Sequence, residues 1–239
     1  GDHVPLVILN FYKSYRASVR AKVAALRAQQ LSPQQQASAF REAEKYIQAA
    51  DRYAQLHRKP LMLVVGGLSG SGKSTLAREL ALQFAARLLS SDELRRDLFG
   101  SIESHSIDKY SSESRERVYA EMFCRARALQ RAGLSVVMDA TFADPQHLHA
   151  AWALSQDPHS RFLAIECHCP LALIRERIES RRLLGTDASE ATLKVLEAQR
   201  IARQAWPAAI PQLSVDTSQP LTHQAATVIA RLAADAAVT

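Results

Sequence analysis

The stretch "LMLVVGGLSGSGKST", residues 61–75, runs from an apolar, strand-like segment through a glycine-rich turn into a helix-forming segment. Gly67-Leu68-Ser69-Gly70-Ser71-Gly72-Lys73-Ser74 matches G-x-x-x-x-G-K-[ST] at every fixed position, in the strand–turn–helix context that gives the pattern meaning. The glycines let backbone N–H groups turn inward toward phosphate oxygens. The helix N-terminus adds partial positive charge. Lys73 then reaches the β- and γ-phosphates and the Ser74 hydroxyl ligates Mg²⁺. The expected cofactors are therefore ATP and Mg²⁺, with Gly67, Leu68, Ser69, Gly70, Ser71, Gly72, Lys73, Ser74 and Thr75 holding the nucleotide. This stretch does not say where the terminal phosphate goes.

Working outward, apolar runs recur at "LMLVV" (61–65), "ARLLS" (86–90), "SVVMD" (135–139), "FLAIECH" (162–168) and "QLSVD" (212–216), with helical stretches between them. The longest of these helices spans about 112 to 132, with Gly133 at its C′ position. Strands alternating with helices predict an α/β fold, a five-stranded parallel sheet covered by helices on both faces. Residues 60–239 form this predicted domain. Ahead of it, Tyr12, Tyr15, Val19, Val23 and Leu26 recur at helical steps over residues 9–30. Ser32-Pro33-Gln34-Gln35 then reads as a helix start, with Ser as N-cap and Pro at the first helical position. Phe40, Ala43, Ile47, Ala50 and Ala54 make the stripe of this second helix. Residues 1–59 are thus an expected helical hairpin with more apolar surface than it can bury alone. It is read as packed on a neighbouring domain, with a basic nucleic-acid-binding arm as the alternative.

"SVVMDAT" places Asp139 at the C-terminal end of a buried strand, the edge where ligands of open α/β sheets gather. There it can hold Mg²⁺ together with Ser74, or simply cap the next turn. Residue 140 is Ala, so the water-activating acid of many ATP-hydrolysing motors is absent. No guanine-reading Asn-Lys-x-Asp segment is present either. Both absences move the reading from hydrolase toward kinase.

"LLSSDELRRDLFG" follows the second strand run, and puts Asp92 at the same edge with Arg95 one helical turn on. This Asp-x-x-Arg resembles the acceptor site of the polynucleotide-kinase, zeta-toxin and gluconate-kinase-like P-loop kinases. The resemblance implies that Asp92 takes the proton from an attacking hydroxyl and that Arg95 grips the acceptor. Phosphoryl transfer asks for such an in-line hydroxyl, a carboxylate beside it and positive charge on the phosphates. An N-cap Asp with a surface Arg is the plainer alternative. "LIRERIESRRLLGTDASEATLKVLEAQ", residues 173–199, is similar to the lid of these kinases. It implies that Arg177 and Arg181, four apart on one helix face, close over the donor phosphates from a lid around residues 173–190. The alternative is an arginine-rich solvated helix. More narrowly, "GGLSGSGKST", "SSDELRRDLFG", "SVVMDATF" and "DASEA…VLEAQ" resemble the C-terminal ATP-binding domain of two-domain bacterial proteins with an aminoglycoside-phosphotransferase-like N-terminal half. "FYKSYRASVRAKV" looks like the closing helices of that half, which implies an upstream kinase-like domain of the same polypeptide. The absence of an initial Met fits a fragment of a longer chain.

The net charge is +6, yet residues 1–60 hold ten Lys/Arg against four Asp/Glu while residues 61–239 hold twenty of each. The excess lies ahead of the nucleotide-binding part, so a nucleic-acid acceptor is not favoured. Arg95, Arg96, Arg115 and Arg117 could still form a local patch. The expected partner is a small-molecule or nucleotide hydroxyl acceptor. No apolar run reaches the roughly 18–20 residues of a membrane span, and the first residues lack a signal-peptide pattern. Cys124, Cys167 and Cys169 are sparse and odd in number, which fits a reducing cytoplasm. "CHC" at 167–169 lacks the second cluster of a zinc site and reads as core packing. The function expected is an ATP-dependent phosphotransferase acting on a hydroxyl. The alternatives are a nucleotide-binding regulatory module with slow hydrolysis, and a polynucleotide 5′-hydroxyl kinase or zeta-like toxin.

Overall fold

A computed structural model of the chain describes residues 4–54, 60–100, 111–155, 160–184 and 193–237. The side chains of residues 4–10, 33–34, 181–184 and 236–237 lie outside that description. Five parallel strands form one sheet: β1 (Leu61–Gly66), β2 (Arg87–Ser90), β3 (Val136–Asp139), β4 (Arg161–His168) and β5 (Gln212–Asp216), in the order β2-β3-β1-β4-β5. The strands stand within a residue of where the apolar runs place them.

The alternation of side chains along a strand divides the core in two. Met62 and Val64 of β1 point to one face, with Val136 and Met138 of β3. That face is covered by α4 (Ser91–Phe99), α5 (Ser112–Arg131) and α6 (Pro145–Leu154), through Leu94, Met122 and Leu148 among others. Leu61, Leu63 and Val65 point the other way, against α3 (Lys73–Gln83) and α9 (Leu221–Ala237) through Leu76, Leu80, Val228 and Leu232. β1 is buried along its whole length, which is why it reads as an unbroken apolar run rather than an alternating one. α5 begins at a Ser111 N-cap whose side chain accepts from the Ser114 N–H, and α6 begins at Asp144, which accepts from the Gln146 N–H, with Pro145 in the first turn.

The remaining helices are α7 (Leu171–Leu184) and α8 (Leu193–Ala202), which meet through Ile174, Ile178 and Leu196. Beyond α8 the chain returns to the sheet. Trp206 lies flat against Gly66, where a Cβ would run into its ring, and its Nε1–H donates to the Phe142 carbonyl at 2.9 Å.

The expected hairpin is α1 (Val4–Ala28) and α2 (Pro33–Ala54), packed on each other. Their seam differs from the stripe that the sequence suggests. Ala17, Ala21, Ala24 and Ala28 of α1 and Ala43 of α2 are the buried residues, while Tyr12, Tyr15, Val19, Val23 and Leu26 are exposed, with Phe40 and Ile47 of α2. Small side chains let the two helix axes approach closely, and the bulky residues are left outside that seam. The Ser14 hydroxyl adds a bond to the Ala50 carbonyl at 2.9 Å.

Trp206 covers the end of β1 from the segment after α8, beside Phe142. Replacing it with Ala should cost about 3–5 kcal/mol of unfolding free energy, the usual range for emptying a buried aromatic site. Urea denaturation followed by circular dichroism would check it.

Candidate active site

The C-terminal ends of β1, β2 and β3 lie side by side, with Val65 and Ser90 each paired to Asp139. The phosphate loop, Asp92 and Asp139 all lie at this edge. After β1 the chain turns through residues 67–72 and enters α3 at Lys73. Gly72 caps that helix at φ 86°, a conformation open to glycine at no steric cost, and a side chain there would also crowd Arg177 and Thr217. The loop is held by its own turn, Ser71 N–H to Leu68 O at 3.1 Å, and by Gly67 N–H to Thr141 O at 3.2 Å. Thr217, just past β5, donates its hydroxyl to the Ser71 carbonyl. Lys73 is buried, Ser74 half-buried and Thr75 exposed at the start of α3.

Asp139 is buried beside Lys73, and the Ser74 side chain hydrogen-bonds it. Burial pushes its carboxyl pKa up, against the opposing pull of Lys73 and Ser74, and the nearby Asp92 charge pushes the same way as burial. Its Oδ1 finds no hydrogen-bond partner among the described residues, and neither does the buried Ser71 Oγ. A buried carboxylate oxygen with nothing to accept from, next to a serine hydroxyl, suits a hard divalent cation such as Mg²⁺. The donor set therefore fits the cation expected here, with Ser74 and Asp139 as the residues that would hold it.

Asp92 and Arg95 both lie in the first turns of α4, and they face each other: Arg95 Nη1 donates to Asp92 Oδ1 at 2.8 Å. Arg95 is thus tied to Asp92 within the helix. Behind them, the floor of the site is built by Tyr119 of α5. Phe142 has a left-handed backbone, φ 46°, and its N–H donates to the Tyr119 hydroxyl at 3.0 Å. The same phenol hydrogen-bonds the Thr141 side chain, and burial raises its pKa. The His147 ring stacks on Tyr119 at 3.7 Å between centroids, and its Nε2 meets Glu116 Oε1 at 3.0 Å.

Arg177 lies on α7 with its guanidinium against the loop: Nη2 donates to the Thr217 carbonyl at 2.9 Å, and Nη1 sits where a side chain on Gly72 would point. Arg181 falls in α7, but its side chain lies outside the described residues, as does the part of the expected lid from 185 to 190. Of the arginines singled out as a patch, Arg117 lies over the Phe99 ring at 5.3 Å and Arg115 is exposed. Cys167 is buried and Cys169 half-buried, and among the described residues there is no group of three His, Cys, Asp or Glu able to hold a metal.

Sequence reading missed three supports of this site. Thr217 follows β5 in "SVDTS", and the strand end was its only signal. Tyr119 was one aromatic among several in a long helix. Gln199 is the last residue of "VLEAQ"; it hydrogen-bonds Ser69, and no local rule marks it.

A family profile described as an AAA domain matches residues 62–205. The chain belongs to the AAA-domain family. The match runs from β1 through α8 and stops before Trp206 and Thr217. The chain is 35% identical over 206 residues to an uncharacterised protein of Mycobacterium tuberculosis strain H37Rv, and matches one of Mycobacterium bovis equally. The match covers 84% of the chain and spans 40% of the length of those relatives. Among solved structures, the AAA domain shares its fold with a sugar kinase from Janibacter (TM-score 0.58, 19% identity, 72% of this chain and 94% of that one). It shares it also with a gluconokinase from Sinorhizobium meliloti (TM-score 0.57, 20% identity, 76% and 98%). A third is an APS kinase of Mycobacterium tuberculosis in complex with AMPPNP and APS (TM-score 0.52, 22% identity, 73% and 98%). The fold is that of a P-loop NTPase with kinases among its structural neighbours. Among the described residues no helix is long and apolar enough to cross a membrane.

The buried Asp139 makes a test. Its folded pKa lies above the ordinary 3.8, so between those values the folded protein holds a proton that the unfolded chain releases. Stability of the metal-free protein therefore falls as pH rises through that window, and the full penalty is present above it. Asp139→Asn should melt higher than the native protein at pH 7 without metal, and the gap should close as pH is lowered toward 4. The stabilisation that Mg²⁺ with ATP confers should shrink in the same variant. Thermal melts across pH, with and without Mg²⁺ and ATP, check both signs. A second test concerns the thiols. Burial pushes Cys167 up to about 12, so at pH 8 a thiol reagent should label exposed Cys124 quickly and Cys167 only on unfolding, as read by peptide mass spectrometry.

Proposed function

We propose that this chain is an ATP-dependent phosphotransferase that moves the γ-phosphate of ATP to the hydroxyl of a small molecule or nucleotide. The observation that carries it is the pair of carboxylates at one sheet edge. Asp139 is buried against Lys73 and Ser74, while Asp92 is part-exposed at the mouth, near enough for the two charges to be felt. Buried and exposed carboxylates suit different tasks, one for a cation and one for an incoming hydroxyl. Ala140 occupies the position after Asp139, so no second acid stands there to activate water. The AAA-domain match and the kinases among the structural neighbours support the same class.

In this reading the loop from Gly67 to Ser74 receives the phosphates, and Lys73 puts its charge on the group in transfer. When bound, Mg²⁺ supplies further charge neutralisation there. Arg177 needs only to leave the Thr217 carbonyl for a phosphate oxygen, and Arg181, one turn further along α7, is the second arginine of this role. Asp92 orients the acceptor hydroxyl and takes its proton late in a loose transition state, where positioning matters more than basicity. Arg95 holds Asp92 in place and is the group to grip the acceptor. The division into a hairpin, residues 1–59, and a catalytic domain, residues 60–239, belongs to the same proposal. So do a cytoplasmic setting and an upstream kinase-like domain against which the exposed face of α1 would rest. That exposed face, and the greater length of the relatives, favour a second reading in which the chain is a nucleotide-binding regulatory module of a larger protein.

Two variants separate these readings. Lys73→Ala should abolish transfer and weaken ATP binding. Asp92→Asn keeps shape and hydrogen bonding but cannot take the proton, so transfer should fall by about 10²–10⁴ while ATP affinity stays near native. ATP consumed and labelled phosphate recovered on sugars, nucleosides or RNA ends are measured in one preparation. If Asp92→Asn consumes ATP like the native protein and neither protein labels an acceptor, the regulatory reading replaces the kinase.

A further inference from the structure

Ser69, the apex of the phosphate loop, is gripped by a side chain from α8. Its backbone N–H donates to Gln199 Oε1 at 2.9 Å, and Gln199 Nε2 donates back to Ser69 Oγ at 2.9 Å. The amide orientation is not arbitrary. Turned over, it would point its NH₂ at the Ser69 N–H, donor against donor. Both neighbours of Ser69 touch the same helices. Leu68 packs into the cluster of Ile174, Ile178 and Leu196, and a Cβ on Gly70 would meet Ile174 and Ile178. The loop apex therefore lies against α7 and α8 together.

The chain beyond Gln199 continues to the other side of the site. Arg203 pairs with Glu166 of β4, and the Gln204 N–H donates to the Ala143 carbonyl at 3.1 Å. Trp206 then bonds the Phe142 carbonyl, next to the strained turn after Asp139. One short segment thus ties the phosphate loop to the loop that follows Asp139. A loop whose shape is fixed before phosphate arrives loses less freedom on binding.

We infer that Gln199 is a positioning residue: it holds the phosphate loop in its receiving shape by occupying the Ser69 N–H and hydroxyl, and it couples that loop to the helix that carries Arg177. The inference rests on the donor-site reading given under Proposed function. Gln199 touches no phosphate in this role, and the Ser69 N–H is not among the donors aimed at one.

The test is calorimetry of ATP with Mg²⁺ binding, together with amide hydrogen exchange at Ser69 by NMR. In the native protein the Ser69 amide should be protected. Gln199→Ala should remove that protection and weaken ATP binding about tenfold, the effect of leaving one buried N–H unpaired. Gln199→Met fills the same space without the hydrogen bonds and should do the same; it carries the test if the Ala variant does not fold. Ser69→Ala keeps the N–H bond and loses the hydroxyl one, so protection of the Ser69 amide should persist. If Gln199→Met binds ATP like the native protein, or leaves Ser69 exchange unchanged, the inference fails and the donor-site reading stands. If the native protein itself binds no ATP, the donor-site reading fails and the role of Gln199 falls with it.

Discussion

A carboxylate buried beside an ammonium group is the constraint around which the rest of this structure is arranged. Asp139 and Lys73 sit at the end of two central strands, out of water, with one carboxylate oxygen unpartnered. Such burial is costly unless the remaining lone pairs are satisfied too, and among the described residues one carboxylate oxygen accepts no hydrogen bond. A cation would satisfy that oxygen. The site keeps its unpaired oxygen because the surrounding sheet is rigid enough to hold it there. β1 and β3 are buried along their whole lengths, so the two ends cannot drift apart to let water in.

The supports of the phosphate loop come from three directions and from distant parts of the chain. Thr141 holds its start, Thr217 holds Ser71, and Gln199 holds Ser69. Each is a hydrogen bond to a backbone group that the turn itself leaves open, which is how irregular backbone is kept near the interior. The loop is irregular because phosphate must reach its N–H groups, so the helices cannot absorb it and side chains from elsewhere must.

The division between what could be read from the residues and what could not follows from this. The five strands are legible because each is a short apolar run bounded by polar turns, and the phosphate loop because its glycines and Lys73 stand at fixed spacings. Asp92 and Asp139 are legible as acids at the C-terminal ends of strand runs, Asp139 closing β3 and Asp92 two residues beyond β2. Gln199, Thr217 and Trp206 are not, because their roles depend on meeting residues 130, 146 and 64 positions away, and nothing local marks such a meeting. The hairpin shows a different limit. α1 carries two stripes of helical period, one bulky and one of alanines. Periodicity alone reveals both, and hydrophobic size favours the bulky one. Close helix packing selects the small one instead, so the helices are found and their seam is not.

The two carboxylates stand on different parts of the frame: Asp139 ends a buried central strand, and Asp92 lies on a short helix beside it. The donor loop is fixed by the sheet edge, by α7 and α8, and by the turn after β5. The turn after Asp139 is fixed by Tyr119 and Trp206. Asp92 and Arg95 stand on the short helix α4, where Arg95 donates to Asp92. A short helix at the rim can shift or change its side chains without disturbing the buried carboxylate or the loop. That is why a shared fold does not fix an acceptor. The solved structures with this fold bear the names of a sugar kinase, a gluconokinase and an APS kinase, which differ in what they act on. What this chain shares with them is the fold. At the rim of this chain Arg95 pairs with Asp92 on α4, and Glu116 of α5 meets His147 beside Tyr119.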